Sequence, residues 1–246
     1  MGHNGFAAFQ NYISEVEEST YNDLYMLIQI MDGVARLTNQ CVYLVDFYKG
    51  EVPYLSYNPI FLCNLDPEDV KRMGSDFNRK YLRPEDNAMI VEITRAWFRF
   101  IEQQPLNMRK HYSIQYDYFL NDKLVCVSMT PAFLSSDGKP WLLICNSKIS
   151  THSTPGNVVI FEKNSPYYWK YCFETKRWNE AKIVLLKEIE QQVIRLSIQG
   201  KKENEICRQI FRSKDGLKSI KRKMFQKMEV NNITEAVSFA ISHGLI

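Results

Sequence analysis

Lysine and arginine side chains crowd one short stretch near the C-terminus. Between Lys201 and Met228 there are ten Lys/Arg residues and only three acidic residues, which gives this stretch a net charge of +7. Ammonium and guanidinium groups bind phosphate oxygens, and Arg also pairs with the O6 and N7 acceptors of guanine. The stretch therefore has the chemistry for binding a nucleic acid.

An apolar stripe runs through the same stretch and predicts a helix. Leu217, Ile220, Met224 and Met228 recur at spacings of three and four residues, as on one face of an α-helix. Ser213 precedes this pattern and can cap the helix. Several cations lie off the stripe, namely Lys218, Lys221, Arg222 and Lys223. A helix that packs by its stripe and turns its cations outward fits a DNA major groove.

Further helical patterns surround this basic helix. Apolar residues from Ile189 to Leu196 predict a helix that ends at Gly200, and a second short helix is predicted over Asn204–Phe211. A terminal amphipathic helix is predicted around Thr234–Ser242. The region is thus expected to hold four helices.

In this register, Leu186 to Ile246 resembles the LuxR-type (NarL/FixJ-type) helix-turn-helix domain of bacterial transcription regulators, without gaps. The matching positions are Leu186, Glu190, Val193, Leu196, Gly200, Glu205, Ile206, Ser213, Lys218, Val230, Asn232, Thr234, Glu235, Ala236 and Val237.

Five positions depart from the family pattern. Ile189 replaces the usual Arg, Gln192 the usual Glu, Gly216 the usual Thr and Glu229 the usual Gly, and Ile220 stands where His is frequent. Glycine lowers helix propensity by up to ~1 kcal/mol, and Gly216 also lacks the hydroxyl of Thr. These changes affect the target sequence more than the fold.

The resemblance implies that the domain binds double-stranded DNA. Lys218 is expected to contact phosphate, and Lys221 or Arg222 to reach base edges. The full set of predicted DNA-binding residues is Lys201, Lys202, Ser213, Lys214, Lys218, Ser219, Lys221, Arg222 and Lys223. A solvated basic helix without a nucleic-acid partner is the alternative.

The resemblance also implies pairing of two copies through the terminal helix. Val237, Ala240 and Ile241 are the residues predicted to form that seam. A two-fold homodimer would bind a pseudo-palindromic operator.

The segment over residues 39–150 predicts a second fold. Two strand patterns, short helices, a long helix over Asn87–Gln103 and three further strands follow one another in the order of a PAS domain. Tyr81–Asp86 (YLRPED) resembles the H-P-E-D element of PAS domains, with Arg83 in place of His. The whole chain is therefore expected to be α+β, with a PAS-like antiparallel sheet, flanking helices and an all-α helix-turn-helix domain.

A PAS-like domain implies a sensor of a small molecule or a dimerisation platform. The residues predicted to line its pocket are Trp97, Tyr116, Tyr118, Met129, Phe133 and Trp141, and each of them could instead fill the core. The pattern predicts no cofactor and no metal, because His111 stands alone and Cys63 does not match the flavin-binding motif of light sensors.

Two other segments complete the predicted organisation. Residues 1–38 carry two amphipathic helical patterns, Phe6–Val16 and Leu24–Leu37, suited to dimerisation or to packing on the PAS-like domain. Residues 151–178 predict a linker and an aromatic β-hairpin, and the helix-turn-helix domain then spans residues 179–246.

Composition supports this division. The 246 residues carry a net charge of +3, which splits into +5 over residues 179–246 and −2 over the rest. No apolar run is long enough for a membrane span, the N-terminus does not read as a secretory signal, and the six Cys residues are scattered. A cytoplasmic location with buried, reduced thiols is expected.

The sequence can be compared with the requirements of three classes of function. A one-component transcription regulator with a PAS-like sensor fits both segments. A response-regulator-like or partner-controlled DNA-binding protein is the alternative, although Asp46 lacks the preceding acidic pair of a phosphoacceptor site. An enzyme is not expected, since no catalytic triad, metal cluster or phosphate-binding Gly loop is present in the sequence.

Overall fold

A computed structural model describes residues 12–13, 15–182, 184–242 and 245–246, and the chain divides into two compact units at Ala181/Lys182. The helix predicted from Phe6 lies for the most part outside the described residues. The unit boundary falls three residues after the predicted one.

The N-terminal unit combines a sheet with helices. Its elements are a 3-10 helix (Glu18–Asp23), α1 (Leu24–Leu37), β1 (Cys41–Asp46), β2 (Glu51–Leu55), α2 (Pro67–Met73), α3 (Ser75–Tyr81), α4 (Pro84–Glu102), a 3-10 turn (Arg109–His111), β3 (Tyr112–Leu120), β4 (Lys123–Leu134), β5 (Pro140–Ile149), β6 (Gly156–Glu162), β7 (Tyr167–Cys172) and β8 (Arg177–Lys182).

Eight strands form one sheet in the order β2-β1-β5-β4-β3-β6-β7-β8. The strand pairs that join β1 to β7 are antiparallel, and β1 pairs with β5 from Cys41 opposite Ser147 to Asp46 opposite Leu142. Strands distant in the sequence thus become neighbours, because β5 inserts between β1 and β4. The five strands predicted for the PAS-like domain are all present.

Helix α4 packs against the core of this unit. It buries Ile93, Trp97 and Ile101 at helical spacing, each of them fully excluded from solvent. Pro84 opens the helix, where its missing N–H costs nothing. Asp86 is buried and accepts a hydrogen bond from the backbone N–H of Phe119 at 3.0 Å. The acidic residue of the predicted PAS-like element therefore anchors α4 to β3.

The predicted hairpin continues the sheet. β6 pairs with β3, with Ile160 opposite Ile114, and β7 pairs with β6. The following strand, β8, was not predicted, because its sequence is mostly polar and its side chains are largely exposed. Short helices were predicted before α4, but the position of α3 was not. Helix α3 is only seven residues long and is separated from α2 by Gly74, whose φ of +53° breaks the helical pattern.

The C-terminal unit contains α5 (Glu188–Ile198), α6 (Glu203–Gln209), α7 (Lys214–Met228) and α8 (Ile233–Ser242). The predicted stripe of α7 lies in its core, where Leu217, Met224 and Met228 are buried and Ile220 is partly buried. All four predicted helices are present. With the sheet of the other unit, they confirm the α+β class.

The six cysteines are free thiols. Four of them are buried, whereas Cys63 and Cys172 are partly exposed. Burial raises the pKa of Cys41 to about 11 and that of Cys126 to about 12. A hydrogen bond with Thr175 lowers the pKa of Cys172 instead. The thiols therefore differ in their tendency to ionise.

Candidate nucleic-acid interface and ligand cavity

Helix α7 presents a row of exposed cations. Lys214, Lys218 and Arg222 follow each other at intervals of four residues and are all exposed, so they share one side of the helix. Lys223 is also exposed, but five residues correspond to about 140° of rotation from Lys218. The row, rather than the whole set of predicted cations, is arranged to meet one surface of a partner.

The start of α7 is fixed by its cap. The hydroxyl of Ser213 accepts a hydrogen bond from the backbone N–H of Gly216 at 3.1 Å, as the sequence predicted. Phe211 lies two residues before Ser213; it has a φ of +52°, and its side chain is 86% exposed. The turn between α6 and α7 therefore exposes an aromatic ring to solvent.

Three further predicted DNA-binding residues differ in their exposure to solvent. Lys201 and Ser219 are both partly buried, whereas Lys202 is exposed at the residue that caps α6. The backbone N–H of Lys202 donates to the Glu205 carboxylate at 2.9 Å. The side chain of Lys202 consequently projects from a fixed helix start.

Lys221 is engaged within the protein. Its Nζ atom lies 2.7 Å from Oε1 of Glu203, and its side chain is only 16% exposed. The hydrogen bond from Lys221 lowers the pKa of Glu203, and the charges of Lys218 and Lys214 act in the same direction. Lys221 therefore joins α7 to α6, and it can reach a base edge only by leaving Glu203.

A second ion pair holds α7 against α5. Glu190 is buried, and its two carboxylate oxygens lie 2.9 and 2.8 Å from Nζ of Lys227. The backbone N–H of Lys187 also donates to Glu190 at 2.8 Å. One carboxylate thus caps α5 and fixes the end of α7, which orients the cationic row.

The N-terminal unit contains a cavity of about 220 Å³. It lies among β1 to β5 and helices α2, α3 and α4. The residues around it are mostly apolar, including Val45, Phe61, Leu62, Val70, Phe77, Leu82, Ile90 and Val91. Its polar lining residues are Tyr43, Lys71, Ser75, Asn78, Asn87, Thr94, Tyr116, Tyr118 and Ser147.

The polar groups of this cavity are mostly neutral or already paired. Burial raises the pKa of Tyr43, Tyr116 and Tyr118, so their phenols stay protonated. Lys71, the only lysine in the lining, lies 2.9 Å from a carboxylate oxygen of Glu68. The cavity therefore suits a neutral molecule.

Half of the aromatic pocket prediction matches the cavity. Tyr116, Tyr118 and Met129 line it, but Trp97, Phe133 and Trp141 do not. Trp97 is fully buried against Phe98, with 5.6 Å between ring centroids, and Trp141 stacks on Phe133 at 5.8 Å. These three rings fill the core, which was the alternative stated for them.

The comparison with known families concerns the C-terminal unit. Residues 185–240 match the family described as bacterial regulatory proteins, luxR family. This segment is a LuxR-type regulatory domain. The match confirms the resemblance predicted from Leu186 onward. No curated protein matches the chain.

Three solved structures are similar over most of the chain. The phage VqmA–DPO complex is 14% identical, with 93% of this chain and 92% of that chain covered and a TM-score of 0.36. The Vibrio cholerae VqmA–ligand–DNA complex is 16% identical, with 90% and 89% covered and a TM-score of 0.31. A Vibrio cholerae VqmA dimer without target DNA is 15% identical, with 91% and 88% covered and a TM-score of 0.31.

The predicted pairing seam on α8 of the LuxR-type domain is only partly exposed. Ala240 is fully buried in the core of its own unit, and Val237 is partly buried there. Ile241 is 56% exposed. Of the three predicted residues, Ile241 presents the largest apolar surface to a second copy, and Ala240 cannot contribute without rearrangement of α8.

Asp46, the residue considered as a phosphoacceptor, accepts structural hydrogen bonds through its carboxylate. It is buried, and it accepts from the Tyr21 hydroxyl at 2.7 Å and from the backbone N–H groups of Tyr48 and Lys49 at 2.9 and 2.8 Å. It therefore shapes the turn after β1.

Across the described ranges, the helices are all too short or too polar to cross a membrane.

Sequence reasoning missed two residues that shape the interface. Glu203 and Lys227 each pair with a residue on another helix, 18 and 37 positions away in the sequence. Helical periodicity shows which side chains are apolar, but it does not show which charges meet across helices. Lys227 at the end of an apolar stripe was the available signal.

Proposed function

We propose that this chain is a sequence-specific transcriptional regulator in which the LuxR-type domain binds double-stranded DNA and the N-terminal unit responds to a small molecule. The observation that carries the proposal is the exposed row Lys214, Lys218 and Arg222 on α7, within a segment that matches the luxR family. Cations spaced along a helix meet the phosphates and guanine edges of a major groove.

The residues of the row have separate roles in this proposal. Lys218 neutralises a phosphate and contributes to affinity at any sequence. Arg222 pairs with a base edge, since its planar guanidinium donates two parallel hydrogen bonds to guanine. Lys202 and Ser213 lie at the starts of α6 and α7, where backbone N–H groups also favour phosphate.

The DNA test begins with duplexes selected by the wild-type protein from a random library. Lys218→Ala combined with Arg222→Ala is expected to weaken binding by about 100-fold, because one phosphate contact and one base contact are lost. Arg72→Ala combined with Arg79→Ala removes two exposed positive charges from α2 and α3 of the N-terminal unit, and this matched control is expected to change binding little. Retained binding by the Lys218/Arg222 variant would contradict the proposed interface.

The cavity supports a small neutral effector. A dry cavity of roughly 150 Å³ accommodates benzene in an engineered protein, so about 220 Å³ holds a single ring with small substituents. Phenols and amides of the lining supply hydrogen bonds to its polar atoms. Native mass spectrometry of the purified protein tests this role, and a preparation that never carries or takes up a small molecule would oppose it.

A second role for the N-terminal unit rests on helix α1. Its exposed side carries Tyr25, Met26, Ile30 and Leu37, each more than half exposed. Apolar surface of this kind marks protein interaction sites. We propose that this face pairs with a second copy of the chain, as a homodimer on a pseudo-palindromic operator requires. Met26→Lys with Ile30→Lys should then yield a monomer in analytical ultracentrifugation.

A further inference from the structure

A second concave surface of the N-terminal unit lies outside the cavity. It is a groove of about 750 Å³ between α4 and the β7–β8 region, within the size range of small-molecule sites. Its floor carries Phe100, Trp169, Tyr171 and Trp178, and its walls carry charged residues of α4 and of the β7–β8 region. We call it the α4–hairpin groove.

The walls of this groove carry an excess of positive charge. Arg95, Arg99, Lys176 and Arg177 are exposed, and Glu92 is the one acidic residue in its lining. Glu92 is engaged with the hairpin. It accepts from the Tyr171 hydroxyl at 2.9 Å and lies 3.6 Å from Nζ of Lys176. In the described part of the chain, the three arginines form no salt bridge.

The floor of the groove is aromatic and held in place. The ring centroid of Trp178 lies 6.0 Å from that of Phe100 and 4.9 Å from that of Tyr171. The indole N–H of Trp178 donates a hydrogen bond to the Ala96 carbonyl at 3.3 Å. Trp169 packs on Phe100 at 5.0 Å. Because these contacts fix β7 and β8 against α4, the groove exists before any ligand arrives.

Two of the arginines lie where they repel each other. Arg95 and Arg99 are neighbours at a spacing of four on α4, and like charges at this spacing destabilise a helix. Glu92, three residues before Arg95, is directed to Tyr171 and Lys176. An anion that bridges the guanidinium groups would relieve this repulsion.

We propose that the α4–hairpin groove binds a nucleotide-like molecule, meaning an aromatic ring that carries a phosphate. Guanidinium groups match the geometry of phosphate oxygens, and the net positive charge suits a dianion better than a single carboxylate. Trp169, Tyr171 and Trp178 are partly exposed and offer a surface for ring stacking. This site and the neutral cavity share Val91 in their linings, and the proposed occupants of the two differ in charge.

The test uses the full-length protein and three probes. Adenosine monophosphate supplies ring and phosphate, adenosine supplies the ring alone, and inorganic phosphate supplies the charge alone. Titration calorimetry is expected to show at least tenfold tighter binding of the nucleotide than of either fragment. Equal affinity for inorganic phosphate, or no nucleotide binding at millimolar concentration, would overturn the proposal.

Variants assign the binding to the groove. Arg95→Ala combined with Arg99→Ala is expected to weaken nucleotide binding at least tenfold. Arg72→Ala combined with Arg79→Ala removes the same charge from α2 and α3 and is expected to leave it unchanged. Lys218→Ala with Arg222→Ala should also leave it unchanged, which separates this site from the DNA interface. Unchanged affinity in the Arg95/Arg99 variant would refute the assignment.

Fluorescence gives an independent readout. Trp169 and Trp178 line the groove, whereas Trp97 and Trp141 are fully buried in the core. Nucleotide binding should quench emission in the wild type and much less in Trp169→Phe. If a single-stranded oligonucleotide bound the groove more than tenfold tighter than the mononucleotide, the small-molecule assignment would be wrong.

Discussion

The two units of this chain keep their recognition chemistry in opposite places. In the C-terminal unit, the cations proposed to bind DNA stand exposed along α7, and the core beneath them is apolar. In the N-terminal unit, the groups proposed to bind the neutral effector line a mostly apolar cavity between the sheet and the helices. Binding at an exposed charged surface is sensitive to charge and salt, whereas binding in an apolar cavity is sensitive to volume and packing.

The largest effect expected from this contrast concerns α4. Ile93 is fully buried in the core, so Ile93→Ala is expected to lower the free energy of unfolding by about 3 kcal/mol through lost contacts and a new void. Ile90 already faces the cavity, and Ile90→Ala should cost about 1 kcal/mol. Urea denaturation measures the free energy of unfolding of both variants. Equal losses would indicate that the residues around the cavity are packed as tightly as the core.

The next effect concerns the support of the exposed interface. Glu190→Ala removes the partner of Lys227 and the acceptor of the Lys187 N–H. Loss of a buried ion-pair partner costs about 3 kcal/mol or more, and partial exposure of Lys227 reduces this to about 2 kcal/mol.

Thermal unfolding monitored by circular dichroism measures this loss. Lys227→Met is the companion variant, since it keeps the aliphatic length of the side chain. If both variants unfolded like the wild type, the ion pair would not determine the orientation of α7.

A smaller effect tests whether the ion pair of Glu203 with Lys221 lowers the affinity for DNA. Glu203→Gln releases Lys221 for DNA, so affinity is expected to rise about fivefold and the slope of log K against log salt to steepen by about 0.9. Glu188→Gln removes the same charge from an exposed position on α5 and serves as control. Similar gains in both variants would indicate a general effect of net charge instead.

The smallest effect is expected at Gly216. An added Cβ atom would lie 3.4 Å from Cβ of Arg212 and from Oγ of Ser213, which is close but tolerable. Gly216→Ala should therefore stabilise α7 by about 0.5 kcal/mol through higher helix propensity. A calorimetric scan detects the change, and a loss of stability would show that these contacts are too tight.

The same contrast explains what the sequence could predict. The helices of the C-terminal unit follow from local patterns: the stripe from Leu217 to Met228 defines α7, and Ser213 marks its start. The LuxR-type match follows from this register. Pairing of Lys221 with Glu203 was beyond such reasoning, because it depends on how two helices cross.

The cavity was harder to predict for a topological reason. Tyr43 on β1 and Ser147 on β5 both line it, although about a hundred residues separate them in the sequence, because β5 inserts beside β1. Alternation along a strand indicates which residues face inward, but it does not distinguish a filled interior from an open one. Trp97 and Tyr116 illustrate this: both are buried aromatics, and only Tyr116 lines the cavity.

Cys172 directly follows Tyr171, a lining residue of the α4–hairpin groove, at the end of β7. Its lowered pKa and partial exposure raise its thiolate fraction above that of Cys41, Cys126 and Cys145, whose pKa values are raised by burial. Maleimides react with thiolates, so brief labelling should place a dye preferentially on Cys172. The native protein thus provides its own attachment point for a fluorescent reporter, without any engineered cysteine.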